Sequence, residues 1–387
     1  SIIRYNGNKN GDGDMEQLLE WMEIIEDVRQ HRKVRHSIKD ILIIVLFATL
    51  ANADTWEQIA DFALWNEEYL RQYIELKNGV PSHDTIQRVM GMIRPENLQQ
   101  LQRKWQELLD SNEGEKLKKI ICVDGKTMRS NKREGTKPCH IVSAWSREDG
   151  YCLGQKAVEE KSNEITAIPK VLESIEIKGQ VVTIDAMGTQ TAIAETIRKR
   201  RADYVLAVKG NQGNLETDIR QYFEEQQICE ELKKGSGYKK TTEKAHGQIE
   251  IREYYQTEET AWMYQKKQWK GLKSIGMEKK TIRKGETEKE EYRYYISSLC
   301  EDIELFSRAV RGHWAVESMH WHLDVTFKED ANTTLDKTAA QNQNIIRKWC
   351  LSMLKLIEIR GTKMSLRRKR FNISFAPAQF IEELMKI

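Results

Sequence analysis

The sequence predicts an α/β protein in which an all-helical N-terminal domain precedes a core built on a mixed β-sheet. Apolar residues recur at helical spacing, with breaks, from Met15 to about Leu109. From Lys119 onwards they occur in short continuous runs, which are typical of buried strands. Apolar and polar residues alternate in residues 239–299, which predicts a β-rich insertion. At 387 residues, the chain exceeds what one small hydrophobic core usually organises, so we expect several domains.

Composition argues against several classes of protein. The six cysteines include no Cys-x-x-Cys pair, so neither a zinc finger nor a disulfide framework is indicated. The longest apolar run, at 41–51, is too short to cross a bilayer, and no cleavable signal pattern begins the sequence. We therefore expect a cytoplasmic protein with no membrane partner. Its 62 basic and 59 acidic residues leave a net charge of +3, which does not by itself indicate a nucleic-acid partner.

The predicted N-terminal domain contains a pattern that is typical of DNA-binding helices. Residues 1–14 are rich in Gly, Asn and Asp, which predicts a flexible leader, and residues 15–115 follow as the helical domain. Ser82 lies in a turn before the helical pattern at 84–93, where its hydroxyl can cap the helix. A capped short helix often begins the recognition segment of a helix-turn-helix, so we predict DNA binding. The alternative is a helical bundle that only holds the domain together.

Three apolar runs of the core each end at a polar side chain: 120–123 before Asp124, 181–184 before Asp185, and 204–208 before Lys209. Between the first two runs lie two more strand patterns and a helical stretch, at 140–145, 151–158 and 165–175. The resulting order, strand, strand, strand, helix, strand, helix, strand, is the ribonuclease H arrangement. We therefore predict a ribonuclease H-like core with a mixed sheet at 116–228 and 300–360, interrupted by a β-rich insertion at 229–299.

The predicted C-terminal tail, 361–387, is basic. Its segment 363–370 holds five cations and no acid, and residues 198–201 form a second basic block. Either block could neutralise DNA phosphates, although a run of like charges is more commonly a solvated surface.

Two acids occupy the predicted strand ends, and a third lies on a later helix. Asp124 and Asp185 each follow an apolar strand directly, although an Asp-Gly pair is also a common turn. In the helical pattern at 305–324, Val316, Met319 and Leu323 form an apolar stripe that should face the sheet. We expect Glu317, one position along, to lie at the border of the core, where its side chain can lean over the strand ends.

Three carboxylates that converge in one cleft repel one another, and a bound cation relieves the repulsion. Oxygen ligands suit Mg²⁺ or Mn²⁺, and two such ions roughly 3.5–4 Å apart can clamp an in-line phosphoryl transfer. Asp124, Asp185 and Glu317 are therefore the predicted catalytic residues and metal ligands. An alternative is a zinc site formed by His313, Glu317 and His320, although their spacing is not that of zinc proteases.

Four ordered motifs carry a family resemblance. They are Val-Asp-Gly-Lys at 123–126, Ile-Asp-Ala-Met-Gly-Thr-Gln at 184–190, Val-Lys-Gly-Asn-Gln at 208–212, and the block at 313–330 that begins His-Trp-Ala-Val-Glu-Ser-Met-His. In these motifs the chain resembles the H-repeat-associated DDE transposases of bacterial insertion sequences. The resemblance implies that Asp124, Asp185 and Glu317 are the catalytic triad of a ribonuclease H-like core. It also implies action on double-stranded DNA at terminal inverted repeats, joining to target DNA, and a homodimer in the synaptic complex.

The resemblance further suggests candidate DNA contacts, which are Lys126, Lys209, Asn211, His246, Arg311, Trp314 and His320. Lys209 could instead simply end its strand, and Trp314 could be a core residue rather than a stacking platform for an unpaired base. Gln248 replaces the Arg expected after the His-Gly pair at 246–247, and Asp324 replaces a Lys that related transposases often carry.

The acids and motifs leave three functions open. An active transposase cuts and joins DNA, a domesticated or inactive descendant only binds it, and a nuclease cuts without strand transfer. Dependence on a divalent metal distinguishes the second function from the other two, and joining distinguishes the first from the third.

Overall fold

The computed structural model describes residues 11–23, 25–30, 32, 34–110, 118–129, 137–158, 164–245, 247–357 and 362–384. A helix begins at Gly11, so residues 11–14 of the predicted flexible leader are helical. Leu18 and Met22 bury their side chains in the N-terminal core, and this packing holds the helix despite its glycine-rich beginning.

The described N-terminal region is helical. Its helices are Gly11–Glu23 (α1), Ile38–Leu50 (α2), Trp56–Trp65 (α3), Glu67–Leu70 (α4), His83–Met92 (α5) and Pro95–Asp110 (α6). Helix α2 is buried on all sides from Asp40 to Leu50, because α1, α3, α5 and the later helix Lys337–Leu356 pack around it. Ser82 caps α5 as predicted, accepting a hydrogen bond from the backbone N–H of Thr85.

The core contains a nine-stranded mixed sheet within the described residues. Its strands are Ile120–Thr127 (β1), His140–Ser146 (β2), Tyr151–Val158 (β3), Val181–Ile184 (β4), Asp203–Val208 (β5), Tyr238–Ala245 (β6), Gln248–Thr257 (β7), Ser274–Lys284 (β8) and Thr287–Ser297 (β9). They lie in the order β3-β2-β1-β4-β5-β9-β8-β7-β6. The prediction of a mixed α/β fold with a large mixed sheet is confirmed.

The strands of the insertion extend the core sheet. Strands β1, β4 and β5 are parallel neighbours, whereas β9 pairs antiparallel with β5. Strands β8, β7 and β6 then follow as antiparallel neighbours. The strands of the predicted insertion therefore continue the core sheet beyond β5.

The remaining helices cover both faces of the sheet. They are Glu164–Glu173 (α7), Thr191–Lys199 (α8), Asn214–Glu224 (α9), Gln226–Lys234 (α10), Ile303–Gly312 (α11), Trp314–Val325 (α12), Lys337–Leu356 (α13), Leu366–Phe375 (α14) and Pro377–Leu384 (α15). Cys122 and Val205 pack with residues of α11, α12 and α13, whereas Val123 and Leu206 pack with α7, α8 and α9. Both faces are thus buried, which explains why the central strands are continuous apolar runs.

The C-terminal residues 362–384 are folded against the rest of the protein, which corrects the expectation of a basic tail. Arg370 is fully buried and donates hydrogen bonds to the carbonyl oxygens of Thr49 and Thr326 and to the carboxylate of Asp54. Lys369 is also buried and donates to backbone carbonyl oxygens at the end of α13. Two of the five cations in segment 363–370 are therefore unavailable to DNA phosphates.

The length and apolar character of a helix decide whether it can span a membrane. Over the described residues, we find none with the length and apolar character that a bilayer span requires.

Candidate active site

Two of the predicted acids occupy equivalent places on neighbouring strands. Val123 in β1 is paired with Ile184 in the parallel strand β4. Asp124 directly follows Val123, and Asp185 directly follows Ile184. Neighbouring strands lie about 4.8 Å apart, which brings the two backbones together at this edge. Cys122 and Thr183, two residues earlier, contact Gly312 and His313 on the α11–α12 face. By the alternation of side chains, both acids face α11 and α12.

The third acid is carried by α12 but is exposed. Val316, Met319 and Leu323 bury the predicted apolar stripe. Glu317 follows Val316 by about 100° around the helix and is exposed to solvent. The expectation that it would lie at the border of the core is therefore wrong, because His313 and His320 occupy the positions nearer the sheet.

The partly buried imidazole of His313 lies among the three acids. Burial lowers the pKa of His313, whereas the charges of Asp124, Glu317 and Asp185 oppose this shift. All three carboxylates are therefore close enough to interact electrostatically with one imidazole. Because the net shift of the pKa is downward, His313 is neutral at pH 7 and does not neutralise the acids.

His320 contacts Asp124, one of the predicted catalytic acids. Its Nδ1 lies 3.4 Å from Oδ2 of Asp124. Burial opposes ionisation of Asp124, but the hydrogen bond and Coulombic interaction with His320 outweigh it and lower the pKa of this carboxyl. Nε2 of His320 is buried and has no hydrogen-bond partner among the described residues. His320, a predicted DNA contact, therefore lies against Asp124 inside the site.

The loop after Asp185 is held by polar side chains, two of which belong to the predicted motif at 208–212. Oδ1 of Asp185 accepts a hydrogen bond from the backbone N–H of Gly188 at 2.9 Å. The side chain of Asn211, a predicted DNA contact, donates to the carbonyl oxygen of Ala186 at 2.8 Å. Gln212 donates to the carbonyl oxygen of Thr189 at 2.7 Å. These contacts fix the backbone that presents Asp185.

Lys126 is surrounded by carboxylates of the protein itself. Its Nζ lies 2.7 Å from Asp324, 3.1 Å from Asp330 and 3.2 Å from Glu329. Asp324 belongs to the helix that carries Glu317, and Lys126 follows Asp124 by two residues. The ammonium group therefore ties the strand of the first acid to the helix of the third, and its charge is already matched inside the protein.

Removing this ammonium should destabilise the fold. We expect Lys126→Met to lower the free energy of unfolding by about 2 kcal/mol, because three carboxylates, including the buried Glu329, lose a common partner. Denaturation in urea measures the change, and Lys126→Arg, which keeps the charge, should lose less. Equal stability of Lys126→Met and the unchanged protein would contradict the described ion pairs.

Gly125 is required by a buried polar pair behind the site. A Cβ atom at this position would lie 2.4 Å from Nε2 of His140 and 2.7 Å from Oε2 of Glu164. These two atoms are themselves 3.2 Å apart and almost fully buried. We expect Gly125→Ala to cost about 1–3 kcal/mol, since the buried pair must shift to admit the methyl group. A thermal unfolding midpoint unchanged by this substitution would contradict the packing.

The remaining predicted DNA contacts lie in different environments. Lys209 is exposed at the end of β5. Arg311 lies 3.3 Å from Glu243 of the insertion. The Trp314 ring has the guanidinium of Arg293 at 5.0 Å and the ammonium of Lys280 at 5.7 Å from its centroid. His246 falls outside the described residues.

The carboxylate oxygens of Asp124, Asp185 and Glu317 suit a hard cation, but the three side chains do not converge on one position. In the parts of the chain that the structure describes, no three His, Cys, Asp or Glu side chains are placed to hold a metal ion. This applies equally to the zinc alternative, since His313 contacts Thr183 while His320 contacts Asp124. Carboxylate oxygens at the edge of the sheet are the ligands that Mg²⁺ and Mn²⁺ prefer.

Comparison with known proteins identifies the family. The family model described as "Transposase DDE domain" matches residues 115–353, and the one described as "DDE_Tnp_1-associated" matches residues 19–106. A solved "piggyBac transposase synaptic complex with hairpin DNA" aligns over 96% of this chain and 79% of its own, with 11% identity and a TM-score of 0.34. That likeness is too weak to establish a shared fold.

Two full-length relatives agree with the family models. "Putative transposase YncI" of Escherichia coli O157:H7 is 38% identical, covering 96% of this chain and 95% of the relative. "H repeat-associated putative transposase YhhI" of Escherichia coli strain K12 is 37% identical, covering 92% of this chain and 94% of the relative. The chain therefore belongs to the DDE transposases and, within them, to the H-repeat-associated family.

Proposed function

We propose that the chain cuts DNA at terminal inverted repeats and joins the 3′-hydroxyl ends to target DNA by phosphoryl transfer that depends on two divalent metal ions. The observation that carries the proposal is the placement of Asp124 and Asp185 at equivalent positions of paired parallel strands, facing the helix that carries Glu317. The sheet order β3-β2-β1-β4-β5 and the helices between these strands support a ribonuclease H-like core.

Asp124, Asp185 and Glu317 would hold the metal ions. When bound, Mg²⁺ or Mn²⁺ activates a water or hydroxyl for attack and stabilises charge on the phosphate oxygens. The chain's own groups prepare this site. The lowered pKa keeps Asp124 ionised, and the lowered pKa of His313 keeps that imidazole neutral, so the negative charge stays available to a cation.

The proposed partners are double-stranded DNA with terminal inverted repeats and a target duplex. Lys209 is exposed at the end of β5, next to the strand that leads into Asp185, where its ammonium group can reach a phosphate. Two element ends must be held together for joining, so we propose a homodimer as the working complex.

A DNA cleavage assay tests the proposal. Supercoiled DNA carrying the element ends should be nicked with Mg²⁺ or Mn²⁺ and remain intact with EDTA. DNA binding that persists in EDTA, with no product under any divalent ion, would instead identify a protein that only binds DNA.

Joining is tested separately. A precleaved end with a free 3′-hydroxyl should become covalently linked to a second duplex. Cleavage of supercoiled DNA without this product would identify a nuclease that does not transfer strands.

A further inference from the structure

Arg293 of the insertion lies at the same edge of the sheet as the acids. Val208 at the end of β5 is paired with Tyr294 of β9, so Arg293 falls opposite Lys209, just beyond the end of β5. Strand β5 in turn is the parallel neighbour of β4, which leads into Asp185. Two strand spacings separate β9 from β4, roughly 10 Å across the sheet. The long side chain of an arginine can span most of that distance.

Arg293 also faces the same side of the sheet as the acids. Tyr295, two residues later on β9, packs its ring against Phe306 of α11 at 5.8 Å. Because side chains alternate along a strand, Arg293 points to the α11–α12 face as well. Its guanidinium carbon lies 5.0 Å from the centroid of the Trp314 ring at the start of α12. Trp314 precedes Glu317 by three residues, so the two side chains are neighbours on the helix surface.

The charge of Arg293 is only weakly matched inside the protein. Its ion pair with Glu278 is long, at 3.9 Å, and Glu278 is also 3.5 Å from Arg252. Burial raises the pKa of Glu278, although Arg293 and Arg252 oppose this shift. The side chain of Arg293 is 35% exposed, whereas the neighbouring Lys280 is 14% exposed and lies 3.4 Å from Glu250. Arg293 therefore presents a positive charge to solvent on the face of the sheet that the three acids occupy.

The positive charge of Arg293 can offset the repulsion between the acids and a DNA phosphate. A phosphodiester that approaches Asp124, Asp185 and Glu317 is repelled by their charges unless a cation lies close by. A guanidinium binds phosphate oxygens through two parallel hydrogen bonds, and contact with an indole ring restricts its orientation beforehand. The charge of Arg293 already reaches His313, the imidazole around which the acids lie, and lowers its pKa.

We propose that Arg293, supported by the ring of Trp314, binds a phosphate of the DNA backbone next to the catalytic carboxylates. The insertion thereby supplies a substrate-binding cation to the site. This inference rests on the proposed function, which makes DNA the substrate.

Salt dependence of DNA binding tests the inference. Binding of a duplex carrying the element end is measured by fluorescence anisotropy in EDTA, over a series of salt concentrations. Each phosphate neutralised contributes about 0.9 to the slope of log K against log salt. We expect Arg293→Gln to make the slope shallower by about 0.9, and Arg293→Lys to keep the slope while binding more weakly.

Arg283 provides the matched control. It lies on β8 near the turn into β9, is 53% exposed, and is paired with Glu288 at 2.6 Å. Arg283→Gln should leave the slope unchanged. An unchanged slope in Arg293→Gln, an equal change in both glutamine variants, or a loss of slope in Arg293→Lys would overturn the inference.

The test is independent of the cleavage reaction. Because binding is measured without a divalent ion, a protein that never nicks DNA can still show the expected change of slope. In that case the proposed cleavage fails while the phosphate contact stands. Conversely, the unchanged protein could nick DNA while Arg293→Gln leaves the slope unchanged. That result would refute the phosphate contact of Arg293 but not the proposed cleavage.

Discussion

Asp185→Asn should abolish DNA nicking while leaving the protein folded. We expect the rate to fall by about 10³-fold, since a lost metal ligand removes several kcal/mol of transition-state stabilisation and about 1.4 kcal/mol corresponds to a factor of ten. The asparagine carbonyl oxygen can still accept the hydrogen bond from Gly188 that orders the loop. Nicking of supercoiled DNA in Mg²⁺, with a thermal unfolding curve for each variant, measures both effects.

Glu195 is a suitable control for this substitution. It is an exposed acid on α8 of the same core and pairs with Lys199 one turn later. Glu195→Gln should nick at the rate of the unchanged protein. Nicking by Asp185→Asn at that same rate would remove Asp185 from the mechanism.

Arg370→Leu should destabilise the protein severely. We expect a loss of about 3–5 kcal/mol in the free energy of unfolding, because the substitution leaves the buried carboxylate of Asp54 without its buried partner. It also frees the carbonyl oxygens of Thr49 and Thr326, and it removes a guanidinium lying 4.3 Å from the centroid of the Phe327 ring. Chemical denaturation measures the loss.

Arg368 distinguishes this effect from the removal of any cation in the same segment. It is exposed on α14, two residues before Arg370. Arg368→Leu should change the free energy of unfolding by less than about 0.5 kcal/mol. If the two leucine variants were equally stable, the C-terminal helices could not be anchored as described.

The strands that carry the first two acids could be predicted because their signal is local. Residues 120–123, 181–184 and 204–208 are continuous apolar runs, and each forms a strand buried on both faces. The polar residue that ends each run marks where the chain reaches the edge of the sheet. Ser82 was predictable for the same reason, since a cap depends on a few neighbouring residues.

Contacts between distant parts of the chain could not be predicted in this way. Lys126 and Asp324 meet only because α12 packs across β1, and nothing near either residue indicates the other. Arg370 lies in a run of cations that is typical of a solvated surface, yet its partner Asp54 is more than 300 positions earlier. The pairing of β9 with β5 is likewise non-local, so the place of Arg293 beside the acids emerges only from the sheet order.

Binding of Mn²⁺ tests the central claim most directly, since a shared ion requires the exposed Glu317 to turn toward Asp124 and Asp185. Free Mn²⁺ is followed by electron paramagnetic resonance during titration of the unchanged protein and of Asp124→Asn, Asp185→Asn and Glu317→Gln, with Glu195→Gln as control. We predict that each of the three variants binds Mn²⁺ at least about ten-fold more weakly, whereas the control does not change. Equal Mn²⁺ affinity of Glu317→Gln and the unchanged protein would show that the three carboxylates do not share an ion.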